Sequence, residues 1–113
     1  RMSAFYETLL VNDVDILLSA HEANYERFAA LDGSGKPLSA GVRQFVVGTG
    51  GQVTYDPEVG DADWRAKAKP VPSEFFDADH HGVLQLTLDP ASYSWQFFAV
   101  GAGVVDSGSA DCH

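Results

Sequence analysis

The stretch Tyr93-Ser94-Trp95-Gln96-Phe97 alternates aromatic and polar side chains, and few patterns restrict a chain more. At the two-residue period of a strand, Tyr93, Trp95 and Phe97 share one face and Ser94 and Gln96 the other. The turn former Asp89-Pro90-Ala91-Ser92 precedes this run, and Val83–Leu88 alternates imperfectly before it. The two runs are therefore expected to pair as a β-hairpin. After Gly101-Ala102-Gly103, a short edge strand is expected at Val104-Val105. The polar end DSGSADCH reads as a mobile tail.

Upstream the signals change period. A helix is expected over residues 3–12, capped by Ser3, with Phe5/Leu9 and Tyr6/Leu10 as apolar pairs one turn apart. Asn12-Asp13 breaks it, and Val14–Ser19 follows as a short, mostly buried strand. Residues 29–41 are rich in turn formers, Arg43–Val47 is the next strand, and Gly48-Thr49-Gly50-Gly51 closes it. Residues 52–81 read as an irregular loop, with one helical turn at Trp64–Lys69 stopped by Pro70 and Pro72. Helix, tight connection and apolar strand is the grammar of an α/β fold, in which functional loops leave the carboxyl ends of strands.

With 113 residues, the chain suits a single domain, 1–113. Sixteen acidic against seven basic side chains give a net charge of −9. That argues against nucleic acid or an anionic membrane surface as partner, since neutralising either calls for basic side chains. A phosphate ester stays open as a substrate, because a bound metal reverses the local field. No run approaches the roughly 20 apolar residues that span a bilayer, and no signal-peptide pattern is present. Cys112 is the only cysteine, so it is a free thiol or the partner of a cysteine in another polypeptide.

The octet His21-Glu22-Ala23-Asn24-Tyr25-Glu26-Arg27-Phe28 lies just past the Val14–Ser19 strand, and its polar density marks a functional loop with His21 facing a concave surface. Asn24 and Tyr25 can reach a phosphate oxygen, or Tyr25 can sit in the core with its hydroxyl satisfied. Glu26 and Arg27 are an ion pair that orients the loop, or solvated charge. Gly48-Thr49-Gly50-Gly51 lacks the helix and lysine of a phosphate cradle and reads as a turn that lets backbones approach closely. Trp64 or Trp95 offers a stacking surface for a glycan.

Taken in order, these pieces resemble the C-terminal half of a calcineurin-like metallophosphoesterase of the purple acid phosphatase type. In that family a helix and apolar strand lead into Gly-His-Asp-His-Asn-Tyr-Glu-Arg. A strand ending in Gly-Thr-Gly-Gly follows, and a hairpin closes the domain. Here the matching residues are Ala20–Arg27, Phe45–Gly51, Gly82–Leu88 and Ser92–Phe97, and the terminal residues look like the tail of secreted members. The resemblance implies part of an α/β/β/α sandwich, with one N-terminal helix followed by a mostly antiparallel or mixed sheet. It also implies phosphate ester hydrolysis at a two-metal centre of zinc, iron or manganese, and an extracellular location. His21 is the matching metal ligand, and Asn24, Tyr25 and Arg27 are the candidate substrate-binding residues.

The departures set the expectations for this chain. Ala23 stands where the second histidine of the motif belongs, and the family's upstream ligand motifs are absent. One histidine cannot hold two cations, so the chain alone is expected to bind no metal pair and to be inactive. His80 and His81 are adjacent, so on extended backbone they point oppositely and do not chelate together. A half-sandwich leaves surface uncovered, with the Phe45/Val47 strand and the Tyr93/Trp95/Phe97 face as the expected sites. Self-association or docking on an upstream catalytic half or companion chain follows from that. The alternative is a non-catalytic module that binds a companion chain or a glycan.

Overall fold

The computed structural model describes residues 2–51 and 72–113. It is an α/β fold: one helix and two small sheets, the first of mixed and the second of antiparallel pairing. Helix α1 spans Met2–Val11, so it begins one residue before the expected cap at Ser3. Its end is a left-handed cap at Asp13 (φ 57°). The Val14 N–H donates to the Leu9 carbonyl at 3.0 Å and the Asp13 N–H to the Leu10 carbonyl at 3.1 Å, which satisfies two terminal carbonyls.

The first sheet runs β1 (Ile16–Ser19), β3 (Arg43–Val47), β2 (Tyr25–Phe28), β4 (Ser73–Asp77) in spatial order. β1 lies parallel to β3 with Leu18 opposite Phe45, and the remaining pairs are antiparallel. β4 corrects the sequence reading, which placed an irregular loop over 52–81. The helical turn expected at Trp64–Lys69 lies outside the described residues, as does Trp64. On the outer face, the Tyr6 hydroxyl donates to Gln44 Oε1 at 2.7 Å, and Gln44 Nε2 donates to Ser19 Oγ at 2.8 Å. That chain of hydrogen bonds fastens α1 across β3 and β1.

The second sheet is the meander β5 (Gly82–Leu88), β6 (Ser92–Ala99), β7 (Gly103–Asp111). The expected hairpin is there, with Leu88 opposite Tyr93. The expected short edge strand is nine residues long and absorbs most of the supposed mobile tail. Even the last two residues are held: the Cys112 N–H donates to the Ala91 carbonyl, and the His113 N–H donates to Asp15 Oδ1 at 3.0 Å.

The two sheets pack face to face. Tyr25 and Phe45 from the first meet Tyr93, Trp95, Phe97 and Ala99 from the second in one buried cluster. Tyr25 stacks on Phe97 with ring centroids 4.0 Å apart, and Phe45 meets Trp95 edge-on at 5.5 Å. Such pairs add about 0.5–1.5 kcal/mol each beyond their buried area. Gly108 lies opposite Trp95 on β7, where a Cβ would strike the indole ring, so the glycine makes room for the largest core side chain. The Phe45 and Tyr93/Trp95/Phe97 faces, expected to lie open, therefore cover each other.

Candidate functional site

β1 and β3 are parallel, so their carboxyl ends lie side by side, and the loops leaving them form one neighbourhood. After β1, the chain passes through Ala20 into a bend at residues 21–24 before β2 begins. His21 makes that bend with φ 83°, a left-handed conformation uncommon outside glycine, and its side chain is exposed. The Asn24 N–H donates to the Glu22 carbonyl at 2.8 Å, and the Gly48 N–H donates to the Asn24 carbonyl at 2.9 Å. A Cβ on Gly48 would strike the Glu22 carbonyl oxygen, so the glycine is what lets the two loops touch. The expected close-approach turn is thus present, and its target is the octet itself. Beside it, buried Thr49 exchanges hydrogen bonds with Gly82: its carbonyl accepts the Gly82 N–H at 3.0 Å and its hydroxyl donates to the Gly82 carbonyl at 3.1 Å. This pair joins the two sheets at the same end.

The candidate residues of the octet separate. His21 and Glu22 stay on the surface loop, and Ala23 supplies no donor atom. Asn24 is buried, with Oδ1 unpartnered among the described residues. Tyr25 and Arg27 turn the other way, between the sheets. The Tyr25 hydroxyl donates to Asp106 Oδ2 at 2.6 Å. Arg27 donates from Nε to Asp106 Oδ2 at 2.9 Å and from Nη2 to Oδ1 at 3.0 Å, a two-point clasp. Its Nη1 pairs with Glu74, which also receives Arg43 Nη1. The Arg27 and Arg43 guanidinium carbons lie 5.2 Å and 5.0 Å from the centre of the Trp95 ring.

This network sets the charges. Burial pushes the Asp106 carboxyl upward, but the Arg27 guanidinium and the Tyr25 hydroxyl outweigh it and hold it below the ordinary value. The Trp95 indole N–H helps hold that charge from nearby without meeting hydrogen-bond geometry. Burial, and then the Asp106 charge, drive the Tyr25 phenol far above its usual range. Asp106, Glu74 and Arg43 were not singled out by the sequence. Two register slips lie beside these acids: Glu74, still exposed, is the extra residue of β4 opposite Arg27/Phe28, and Val105 is the extra residue before buried Asp106 on β7.

The remaining histidines have local partners. His80 Nδ1 lies 2.8 Å from Asp77 Oδ2, while Asp77 Oδ1 accepts the N–H groups of Asp79 and His80. Burial is the largest single influence and raises the Asp77 carboxyl, but the hydrogen bonds from His80 and from the Asp79 and His80 backbone together outweigh it and hold it below the ordinary value. His81 is exposed beside it. His113 Nδ1 lies 2.7 Å from Asp15 Oδ1, next to Cys112, whose thiol is pushed up by desolvation and by Asp15. Among the described residues, no group of three or more His, Cys, Asp or Glu side chains is placed to hold a metal ion. Among the described residues, His21 therefore belongs to no such group.

An apolar cleft of about 450 Å³ opens between the sheets at this end. Leu18 and Val47 line it from the first sheet and Leu84 and Leu86 from the second. Its lining reaches Ala20 but not His21, so the histidine stands past its rim instead of facing into it. Trp95 is 5% exposed within the core, which leaves its ring no open face for a glycan. No protein-family model matches the chain, and neither does any curated protein or solved structure.

Proposed function

We propose that the chain is a metallophosphoesterase-related half-domain, without a metal centre of its own, that works by docking on a companion polypeptide. The observation that carries the reading is the contact between the His21 bend and the Gly48-Thr49 turn at the carboxyl ends of parallel strands. That is where an α/β fold collects its functional loops. In this reading the helix and two sheets are one side of an α/β/β/α sandwich, and the protein is extracellular. Zinc, iron or manganese belongs to the intact family. Paired cations there stabilise the attacking and leaving oxygens, a role that needs more ligands than His21 supplies. The cleft beside the loop favours the non-catalytic form of the reading, in which binding is the function.

Two measurements test it. The purified chain is expected to hydrolyse p-nitrophenyl phosphate no faster than background with added zinc, iron or manganese. Metal-dependent turnover that His21→Ala abolishes would overturn the proposal. The ancestry of the octet is tested by Ala23→His, which returns a second imidazole beside His21. Zinc binding by calorimetry is expected to tighten in Ala23→His and to revert in the Ala23→His/His21→Ala pair, since chelation needs both nitrogens about 2.0–2.1 Å from one metal. No gain, or a gain that survives loss of His21, would mean the bend is an ordinary turn.

A further inference from the structure

We infer that the open edge of β1 is a docking site for an extended segment of another polypeptide, one with alternating apolar side chains between basic flanks. The inference rests on the companion-chain reading and gives the companion a chemistry.

β1 is built like an interior strand. Ile16, Leu17 and Leu18 are apolar on both faces, the pattern of a parallel strand with a neighbour on each side. Yet β1 stands at the end of its sheet, and among the described residues its far edge carries no strand. The other edges differ. β4 and β7 each contain an extra residue, a bulge of the kind that discourages further pairing. β5 alternates, with Gln85 and Thr87 toward solvent. β1 has neither device: its four residues pair with β3 without a break, and Leu18 is left 55% exposed.

The cleft gives the occupant its shape. It lies between Leu18 and Val47 on one wall and Leu84 and Leu86 on the other, and Leu18, Ser19 and Ala20 bring the C-terminal end of β1 to it. A strand added about 4.8 Å beyond β1 would satisfy the edge backbone and turn every second side chain to the face that Leu18 shares, with those beside Leu18 at the cleft. Charge gives it flanks. Exposed Asp13 precedes β1 and exposed Glu22 follows it, so both ends of the edge are acidic. Lysine or arginine at the ends of the incoming segment complements that pattern. A second copy of a chain with net charge −9 is the disfavoured occupant.

The test uses the whole chain and a synthetic peptide, Lys-Lys-Val-Thr-Val-Thr-Val-Thr-Lys-Lys, followed by calorimetry and amide hydrogen exchange. Saturable binding is expected, with new protection at the amides of Ile16–Ser19. Leu18→Lys puts a charge in the cleft at a position exposed enough to leave folding intact. It is expected to weaken binding at least about tenfold, and Leu88→Lys, outside the cleft, to leave it unchanged. On the unaltered protein, N-methylation of alternate peptide amides is expected to abolish binding, and glutamate flanks to weaken it. Protection confined to β4, β5 or β7, indifference to Leu18→Lys, or no binding at all would overturn the inference. A dimer formed without peptide and dissolved by Leu18→Lys would also overturn it, by making the occupant a second copy. The zinc titration of Ala23→His reports on the octet alone, so failure of the ancestry and failure of the docking site are told apart.

Discussion

Gly48 has no side chain because the Glu22 carbonyl oxygen occupies the place where one would go. Two residues away, Gly50 faces open space and has no such constraint. The pair makes a controlled comparison. Gly48→Ala is expected to destabilise the fold by about 3 kcal/mol, the upper range for forcing extra atoms into a packed site, and Gly50→Ala to change it by less than about 0.5 kcal/mol. Urea denaturation of both variants decides it, and equal effects would mean that the two loops can part at little cost. At this scale the sequence was readable where the demand is local. The glycine turn announced itself by composition. The roles of Tyr25 and Arg27 did not, because their partner Asp106 lies 81 and 79 positions away and looked like part of a polar tail.

Among the elements, β6 shows what periodicity can deliver and β7 what it cannot. Tyr93, Trp95 and Phe97 declare an inward face by themselves. In β7, Ser107-Gly108-Ser109-Ala110 has little strand propensity, and the segment is extended because it pairs with β6 and fits beneath Trp95. β4 was missed for a similar reason: it is five residues long, follows Pro72, and pairs with β2 across a bulge. The clasp that ties β7 to β2 has a pH signature. A carboxyl held below its unfolded value contributes stability in full above that value, near 3.9, and loses it as pH falls toward the folded value. Asp106→Asn is expected to cost about 3 kcal/mol at neutral pH by taking from Arg27 its buried carboxylate and leaving it only the exposed Glu74. Its stability should also fall less steeply than the parent's below about pH 4. Thermal melts across that range are the check, and parallel pH curves would remove Asp106 from the account of acid stability.

For the molecule as a whole, the α/β class and the order of most strands were legible, while the way the two sheets face each other was not. Amphipathic patterns say which side of a strand is buried, not which other strand it is buried against. The Tyr25/Phe45 face and the Tyr93/Trp95/Phe97 face each looked incomplete until they met. That meeting has a kinetic consequence. Tyr25 and Arg27 reach Asp106, and Asp15 holds His113 across 98 positions, so the contacts that close the molecule join its first quarter to its last residues. Loop closure of that length must precede the gain from packing, which places the protein among slow folders, in the range of milliseconds to seconds. A chain ending at Gly103 would carry the β5–β6 hairpin and all four strands of the first sheet yet have no Asp106, and it is expected to show no cooperative thermal transition. During synthesis at about 5–20 residues per second, the N-terminal sheet therefore waits several seconds, with Tyr25 and Arg27 lacking Asp106, for the strand that completes it.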